Sequence, residues 1–346
     1  MSRLFSAYTV KDLSLRNRIA MSPMCMYSCQ EDGEATPWHL VHYPARAVGG
    51  VGLIMLEATA VEARGRISDH DLGIWSDKQV DGLSRIVDLC HRNGAKVGIQ
   101  LCHAGRKGQL REHRIVAPSP QPFDEGFARP DVLSKDGIAD VVTSFALAAN
   151  RARRAGFDVI ELHGAHGYLI HQFLSPLSNH REDEYGGDFE SRLRFLREVI
   201  RVVRGEWGGE RPLFLRLSCE DYATGGHGVA ENVRVAAVAR QEGVDLIDCS
   251  SGGLLPGLRP SAGPGYQVPF AERIKREAGV ATAAVGLITH SHMAEEIVRN
   301  ERADLVFLAR ALLRDPYWAL HASLELGEEL SYWPRPYLGV KNLRLI

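Results

Sequence analysis

The chain has 346 residues, of which 45% are apolar and 24% charged, and its formal net charge is -2. This composition excludes a disordered chain, and the near-neutral balance without a long basic run excludes the electrostatic footprint of a nucleic-acid binder. No stretch approaches the ~18 uninterrupted apolar residues of a membrane-spanning helix, so no membrane partner is expected.

From the N-terminus, residues 4–15 alternate weakly around Lys11 and Asp12 and predict a hairpin. The same region lacks the apolar run of a signal peptide. The six cysteines, Cys25, Cys29, Cys90, Cys102, Cys219 and Cys249, form no CxxC pair and show no zinc-ligand spacing. A reducing, cytoplasmic location is the expectation.

A unit then recurs: a small or Gly-containing lead-in, an apolar β-branched run, then polar or small residues. It predicts strands at 17–24, 49–59, 94–105, 155–167, 212–218, 242–253, 280–286 and 302–310. Near-continuous apolar runs of this length suit parallel strands covered on both faces. Helix-period segments lie between them at 39–48, 77–93, 135–154, 190–207, 230–241, 270–278 and 292–300. This alternation, with no linker-like break, predicts an α/β fold: a single (β/α)8 TIM barrel, one domain over residues 1–346, with the hairpin closing its bottom. Residues 104–134, rich in Pro and charge, read as a long loop after the third strand, of the kind that shapes an active-site mouth.

Catalytic groups of such barrels gather at the C-terminal ends of the strands. Those ends supply Ser22 to Cys25, Glu57 to Thr59, Gln100, His103, His163 to Tyr168, Arg216, Ser250 to Gly253, Gly286, Ala309 and Arg310. The densest run is ELHGAHGYLIHQFLSPLSNHR, Glu161 to Arg181. His163, His166 and Tyr168 beside a strand end can grip a developing negative charge and supply a proton. They can equally bind zinc with His103 as third ligand, or be hydrogen-bonded core residues. Gly286 and Ala309-Arg310 supply backbone N–H groups and a guanidinium fork suited to phosphate, with a surface ion pair as the competing reading of the arginine. No dinucleotide-binding βαβ fingerprint occurs, so no separate nicotinamide domain is expected.

In this order, the segments LRNRIAMSPMCMYS, HAGRKG, HGAHGYLIHQFLSPLSNHREDEYGG, VDLIDCSSGG and LVFLARALLRDPYW resemble the old yellow enzyme family, in its thermophilic-like bacterial branch, over nearly the whole chain. The resemblance implies an FMN flavoprotein, an NADPH dehydrogenase that takes hydride from NADPH or NADH. It would reduce the C=C bond of α,β-unsaturated carbonyl compounds, with nitro compounds and other xenobiotics as further substrates, by ping-pong transfer through flavin N5. It assigns Ser22, Pro23, Met24 and Cys25 to the flavin ring, Ala58 and Gln100 to its pyrimidine edge, and Arg216 to N1 and O2. Ser251, Gly252, Gly286, Ala309 and Arg310 go to the ribityl chain and phosphate. Tyr27 and Lys107 are assigned to the substrate pocket, His163 and His166 to the substrate carbonyl, and Tyr168 to protonation of the α-carbon. The resemblance implies no metal; a metal-dependent hydrolase or lyase on the histidine pair is the alternative, and a non-catalytic flavin binder a third reading.

Two places depart from the family pattern. Ala309 stands where glycine precedes the arginine of the phosphate turn. In the related branch a tail arginine, two residues after a tyrosine, enters a neighbouring subunit's site; here Tyr337 is followed by Leu338 and Gly339, and Arg335, Lys341 and Arg344 are the candidates to substitute. A homo-oligomer, dimer or tetramer, is the expectation.

Overall fold

The computed structural model describes residues 2–258 and 260–341. The hairpin forms where expected: β1 (Tyr8–Val10) and β2 (Leu13–Leu15) pair antiparallel across a turn that holds Lys11 at φ 51°. Leu13 and Leu15, on one face of β2 by the two-residue period, are buried against Leu53, Val159, Phe214, Leu246 and Leu305. All five lie at or next to the first residue of a barrel strand, so the hairpin plugs the N-terminal end of the barrel.

The chain continues through β3 (Ile19–Met21), α1 (Pro37–Val48), β4 (Leu53–Ala60), α2 (Val80–Arg92) and β5 (Lys96–Cys102). The loop after β5 contains two short strands, β6 (Val116–Ala117) and β7 (Asp131–Val132), and leads to α3 (Lys135–Ala155). Next come β8 (Val159–Gly164), α4 (Leu169–Leu174), α5 (Phe189–Trp207), β9 (Leu213–Ser218), α6 (Val229–Gln241) and β10 (Leu246–Ser250). The last turns of the barrel are α7 (Val268–Ala278), β11 (Ala281–Ala284), α8 (Ser291–Arg299) and β12 (Leu305–Leu308), followed by α9 (Arg310–Arg314) and α10 (Trp318–Glu325).

Eight parallel strands close into a barrel in the order β3, β4, β5, β8, β9, β10, β11, β12, and β12 returns to β3 through Val306–Ile19, Phe307–Ala20 and Leu308–Met21. Every predicted strand therefore forms. Its helical sheath follows the periodicity: α3 buries Ile138, Val141, Phe145, Ala148 and Ala152 on one stripe. Ser134 caps its start by accepting from the Gly137 N–H at 3.0 Å, and Gly156 ends it at φ 88°.

Two boundaries and one helix depart from the sequence pattern for identifiable reasons. The first strand stops at Met21, because Pro23 has no N–H to continue the ladder. The predicted helix at 77–93 begins as a 3-10 turn, Asp77–Gln79, capped by Ser76, before α2. A helix at α4 was not expected; all six of its residues are buried, so it carries no amphipathic signature. No helix among the described residues is long and apolar enough to cross a membrane.

Candidate active site

At the end of β8 the chain turns sharply over residues 165–168 before entering α4. The turn requires positive φ at two consecutive positions, His166 (57°) and Gly167 (73°). A Cβ on Gly167 would lie 2.4 Å from the Gly253 carbonyl oxygen and 3.0 Å from Leu254 Cα, so glycine is needed for space as well as for φ. His166 is held there by its N–H donating to Ser218 Oγ at 2.9 Å and by Nε2 meeting Ser250 Oγ at 2.7 Å. Gly167 N–H donates to His171 Nδ1 at 3.0 Å, and His171 Nε2 faces Asp221 Oδ1 at 2.9 Å in the interior.

This turn brings the three predicted groups together. The His163 ring meets Tyr168 edge-on at 4.8 Å between centroids and His166 edge-on at 5.1 Å. Burial, then the Arg216 charge, holds both imidazoles well below their ordinary pKa, so both are neutral near pH 7. His163 Nδ1 accepts the Ala165 N–H at 3.3 Å, which leaves the ring proton on Nε2 as a free donor. Burial pushes the Tyr168 phenol up, so it keeps its proton. Lys107, expected in the substrate pocket, is partly buried and turned inward. Its Nζ donates to the carbonyls of His166 (3.0 Å) and Gly253 (3.1 Å), beside the Tyr168 ring, and burial, then Arg106, lowers it to about 8.

Below the histidines, pairing across β5, β8, β9 and β10 sets Gln100 beside Glu161, and Arg216 beside both His163 and Asp248. Gln100 Nε2 donates to Glu161 Oε1 at 2.8 Å, and Arg216 Nε lies 3.0 Å from Asp248 Oδ2. Burial, then the Asp248 charge, raises Glu161 to about 8, while burial raises Asp248 to about 6 against the pull of Arg216. One guanidinium thus faces two buried carboxyl groups, and the ion pair at neutral pH is Arg216 with Asp248. Sequence reading missed Glu161 and Asp248 as site residues. Their one signal was a carboxylate in the middle of an apolar parallel strand.

On one side of this centre the strip from Ser22 to Tyr27 leaves β3. Ser22 and Pro23 are buried, Met24 and Cys25 half-buried, and Tyr27 is 48% exposed. Glu57, at a bulge where the β4–β5 register shifts between Leu56 and Ala58, anchors the strip. Its Oε2 accepts the Met26 N–H at 2.7 Å and its Oε1 the Tyr43 hydroxyl at 2.9 Å. Ala58 is paired with Gln100. Burial, then Asp71 and Glu57, pushes the Cys25 thiol up, so it is not a thiolate.

On the other side a cavity of 170 Å³ opens between the ends of β9 to β12, lined among others by Arg216, Gln267, Gly286, Ala309 and Arg310. Gly286 has φ 115°, and a Cβ there would meet Gln267 Nε2 at 2.9 Å. Arg310 is exposed and has no ion-pair partner among the described residues, which removes the surface-pair reading of this arginine. Ser251 and Gly252 are not in the cavity lining; the Ser251 hydroxyl donates to Gln267 Oε1 at 2.6 Å. A free guanidinium, a positive-φ glycine and a buried arginine bordering a half-buried strip form a set that fits a phosphate-bearing planar cofactor such as FMN.

The zinc arrangement lacks its third ligand. His103 Nε2 faces Glu62 at 3.4 Å while Nδ1 accepts the Gly105 N–H, and no three His, Cys, Asp or Glu side chains among the described residues gather to hold a metal. At the C-terminus, Arg335 is exposed in the 3-10 turn Arg335–Val340, and Tyr337 Oη meets Tyr317 Oη at 3.2 Å. Arg344 lies outside the described residues.

Comparison with known proteins adds an independent observation. Residues 3–329 match the family described as NADH:flavin oxidoreductase / NADH oxidase. The chain is similar to the NADPH dehydrogenase of Geobacillus sp. (strain WCH70), 57% identical over 95% of this chain and 96% of that protein. It is likewise similar to the NADPH dehydrogenase of Listeria innocua serovar 6a (strain ATCC BAA-680 / CLIP 11262), 54% identical over 97% and 98% of the two chains. Among solved structures it resembles morphinone reductase in complex with tetrahydroNAD, at a TM-score of 0.79 and 27% identity, covering 95% of this chain and 92% of that one.

Proposed function

Because the chain belongs to the NADH:flavin oxidoreductase / NADH oxidase family, the old yellow enzymes, we propose that it is an FMN-dependent NADPH dehydrogenase that reduces the C=C bond of α,β-unsaturated carbonyl compounds. The observation that carries the reading is the neutral His163–His166 pair packed against a protonated Tyr168, next to a buried arginine. Bound FMN supplies the hydride chemistry between nicotinamide and substrate.

Ser22, Pro23, Met24 and Cys25 would hold one side of the ring, and Ala58 and Gln100 its pyrimidine edge. With Nε2 committed to Glu161, Gln100 presents its Oε1 as an acceptor for a ring N–H. Arg216 would place positive charge where the ring gains electrons. Gly286, Ala309 and Arg310 would hold the phosphate, with Ser251 and Gly252 beside the ribityl chain.

His163, through Nε2–H, and His166 would donate to the carbonyl oxygen of the substrate. Negative charge grows on that oxygen as hydride reaches the β-carbon, so these donors bind the transition state more tightly than the substrate, by roughly 3 kcal/mol each. Neutral imidazoles serve this role because they donate without surrendering the proton to the ground-state carbonyl. Tyr168 then gives its proton to the α-carbon, completing the saturated product. Tyr27, exposed above Cys25, and Lys107 would border the bound substrate, Lys107 by bracing the turn that carries His166.

The chain would act as one domain in a cytoplasmic homo-oligomer, dimer or tetramer; its six free cysteines support a reducing compartment. The test is direct. Purified protein should be yellow, bleach with NADPH in the absence of oxygen, and regain colour on addition of cyclohexenone. Colourless protein that takes up no FMN would overturn the proposal.

A further inference from the structure

Gln100, Glu161, Arg216 and Asp248 form a polar layer inside the barrel. Register sets Glu161 opposite Gln100 on β5 and Phe214 on β9, and Asp248 opposite Arg216 on β9 and Ala283 on β11. By the two-residue period these side chains point to one face, the interior. The other strands contribute Ala20, Met55, Ala283 and Phe307 to that interior, none of them titratable. His163, two residues further along β8, is held neutral by burial and by the Arg216 charge. The groups that face Glu161 are therefore Arg216, Asp248 and the Gln100 amide.

The charges of this layer do not balance. One guanidinium stands against two carboxyl groups, and all three are buried. Arg216 Nε lies 3.0 Å from Asp248 Oδ2, which commits the guanidinium to that side. Glu161 receives the Gln100 Nε2–H on Oε1 at 2.8 Å, while its Oε2 is buried and meets no donor among the described residues. A carboxylate with a bare oxygen in an apolar interior is strongly disfavoured, so the geometry puts a proton on Glu161. Burial and the Asp248 charge act in the same direction and raise it to about 8.

The guanidinium links this layer to the cofactor cavity. Arg216 lines that cavity with Gly286, Ala309 and Arg310, and it is the only cation of the layer. An ionised Glu161 would draw on the same positive charge that an electron-rich ring needs, whereas a neutral Glu161 leaves that charge to the ring.

We propose that Glu161 is a proton-exchanging positioning residue: its neutral form leaves the Arg216 charge to the flavin, its ionised form competes for it, and reduction of the flavin makes Glu161 take up a proton. The inference rests on the reading of the cavity and the Ser22–Met26 strip as an FMN site. Reduction of the ring takes up two electrons and one proton; where Glu161 starts ionised, a second proton from solvent binds its carboxylate. Each proton taken up makes reduction tenfold less favourable per pH unit, which is about 30 mV for a two-electron couple.

The experiment is a spectroelectrochemical titration of the flavin bound to the holoenzyme between about pH 6 and 10. The midpoint potential should fall by about 30 mV per pH unit below about pH 8 and by about 60 mV per pH unit above it. Glu161→Gln, at equal FMN content, should give one slope of about 30 mV per pH unit throughout. Asp248→Asn frees the guanidinium for Glu161 and should move the break to lower pH. An unbroken slope in the unaltered protein would overturn the proposal. So would a break that persists in Glu161→Gln, which would belong to another group such as Lys107, or a break that Asp248→Asn leaves in place. A merely structural role for Glu161 would change stability and leave the slope alone. If the purified protein takes up no FMN, the reading of the main site fails, and infrared titration of that protein still decides the proton. A carboxylic-acid band that fades as pH rises through about 8 and is missing from Glu161→Gln supports the exchange, and no such band overturns it.

Discussion

Replacing Gly167 with alanine separates the position of the turn after β8 from the proposed chemistry of its side chains. The new methyl carbon would sit 2.4 Å from the Gly253 carbonyl oxygen, and about 1 Å of movement is needed to restore an ordinary contact near 3.4 Å. The opposing segment cannot retreat freely, since Gly253 itself sits close to the His166 backbone, with room for a Cβ only at 2.9 Å. The segment carrying His166 and Tyr168 must therefore shift, and a misplacement of about 1 Å costs roughly 10²-fold in rate. Gly156→Ala is the control: it has φ 88°, and its Cβ would meet nothing closer than Val87 Cγ1 at 3.7 Å. Both variants should lose roughly 1–2 kcal/mol of stability from the left-handed backbone. Only Gly167→Ala should lose about 10²-fold in kcat/KM for cyclohexenone, measured on protein of equal FMN content at saturating NADPH. An activity within threefold of the unaltered enzyme, or an equal loss in Gly156→Ala, would refute the argument.

Two further outcomes test other parts of the site. Tyr168→Phe should leave anaerobic bleaching by NADPH largely intact and slow reoxidation by the enone by roughly 10²- to 10⁴-fold; stopped-flow traces in which both phases slow equally would contradict the proton-donor role. Glu161 has a folded pKa of about 8, above its unfolded value of 4.5, so its contribution to stability is present below that unfolded value and is lost as pH rises through about 8. Glu161→Gln removes that titration, and its melting temperature should fall less than that of the unaltered protein between about pH 5 and 9; parallel profiles would show that Glu161 does not titrate in this window.

The barrel was legible because its strands are covered on both faces. Runs such as the one that becomes β4, with all eight residues buried, stand out from the amphipathic helices between them. The locations of His163, His166, Tyr168 and Arg216 followed from the rule that strand C-termini face the site, whereas the proposed flavin contacts rest on the family resemblance. What was not legible depends on neighbours distant in sequence. Glu161 and Asp248 share one guanidinium only because β8, β9 and β10 lie side by side, and nothing local announces that partnership. Glu57 anchors the Ser22–Met26 strip through a bulge, a register event that requires two strands to exist. Lys107 is assigned to the substrate pocket by the family resemblance alone, and nothing local to it announces that the carbonyls of His166 and Gly253 turn its ammonium inward.

The pairing of β12 with β3 joins the two ends of the barrel's chain, and this imposes an order on synthesis. Residues 22–25, next to the first strand, and residues 309–310, next to the last, become neighbours only when Leu308 has left the ribosome. At typical elongation rates that takes about 15–60 s. Until then β3 and the last strand yet made both present unpaired edges, the surface on which strands of separate chains join. A cofactor held between those two ends cannot be captured by a partial chain. Its arrival would coincide with ring closure, so FMN supply should influence how much newly made protein escapes aggregation.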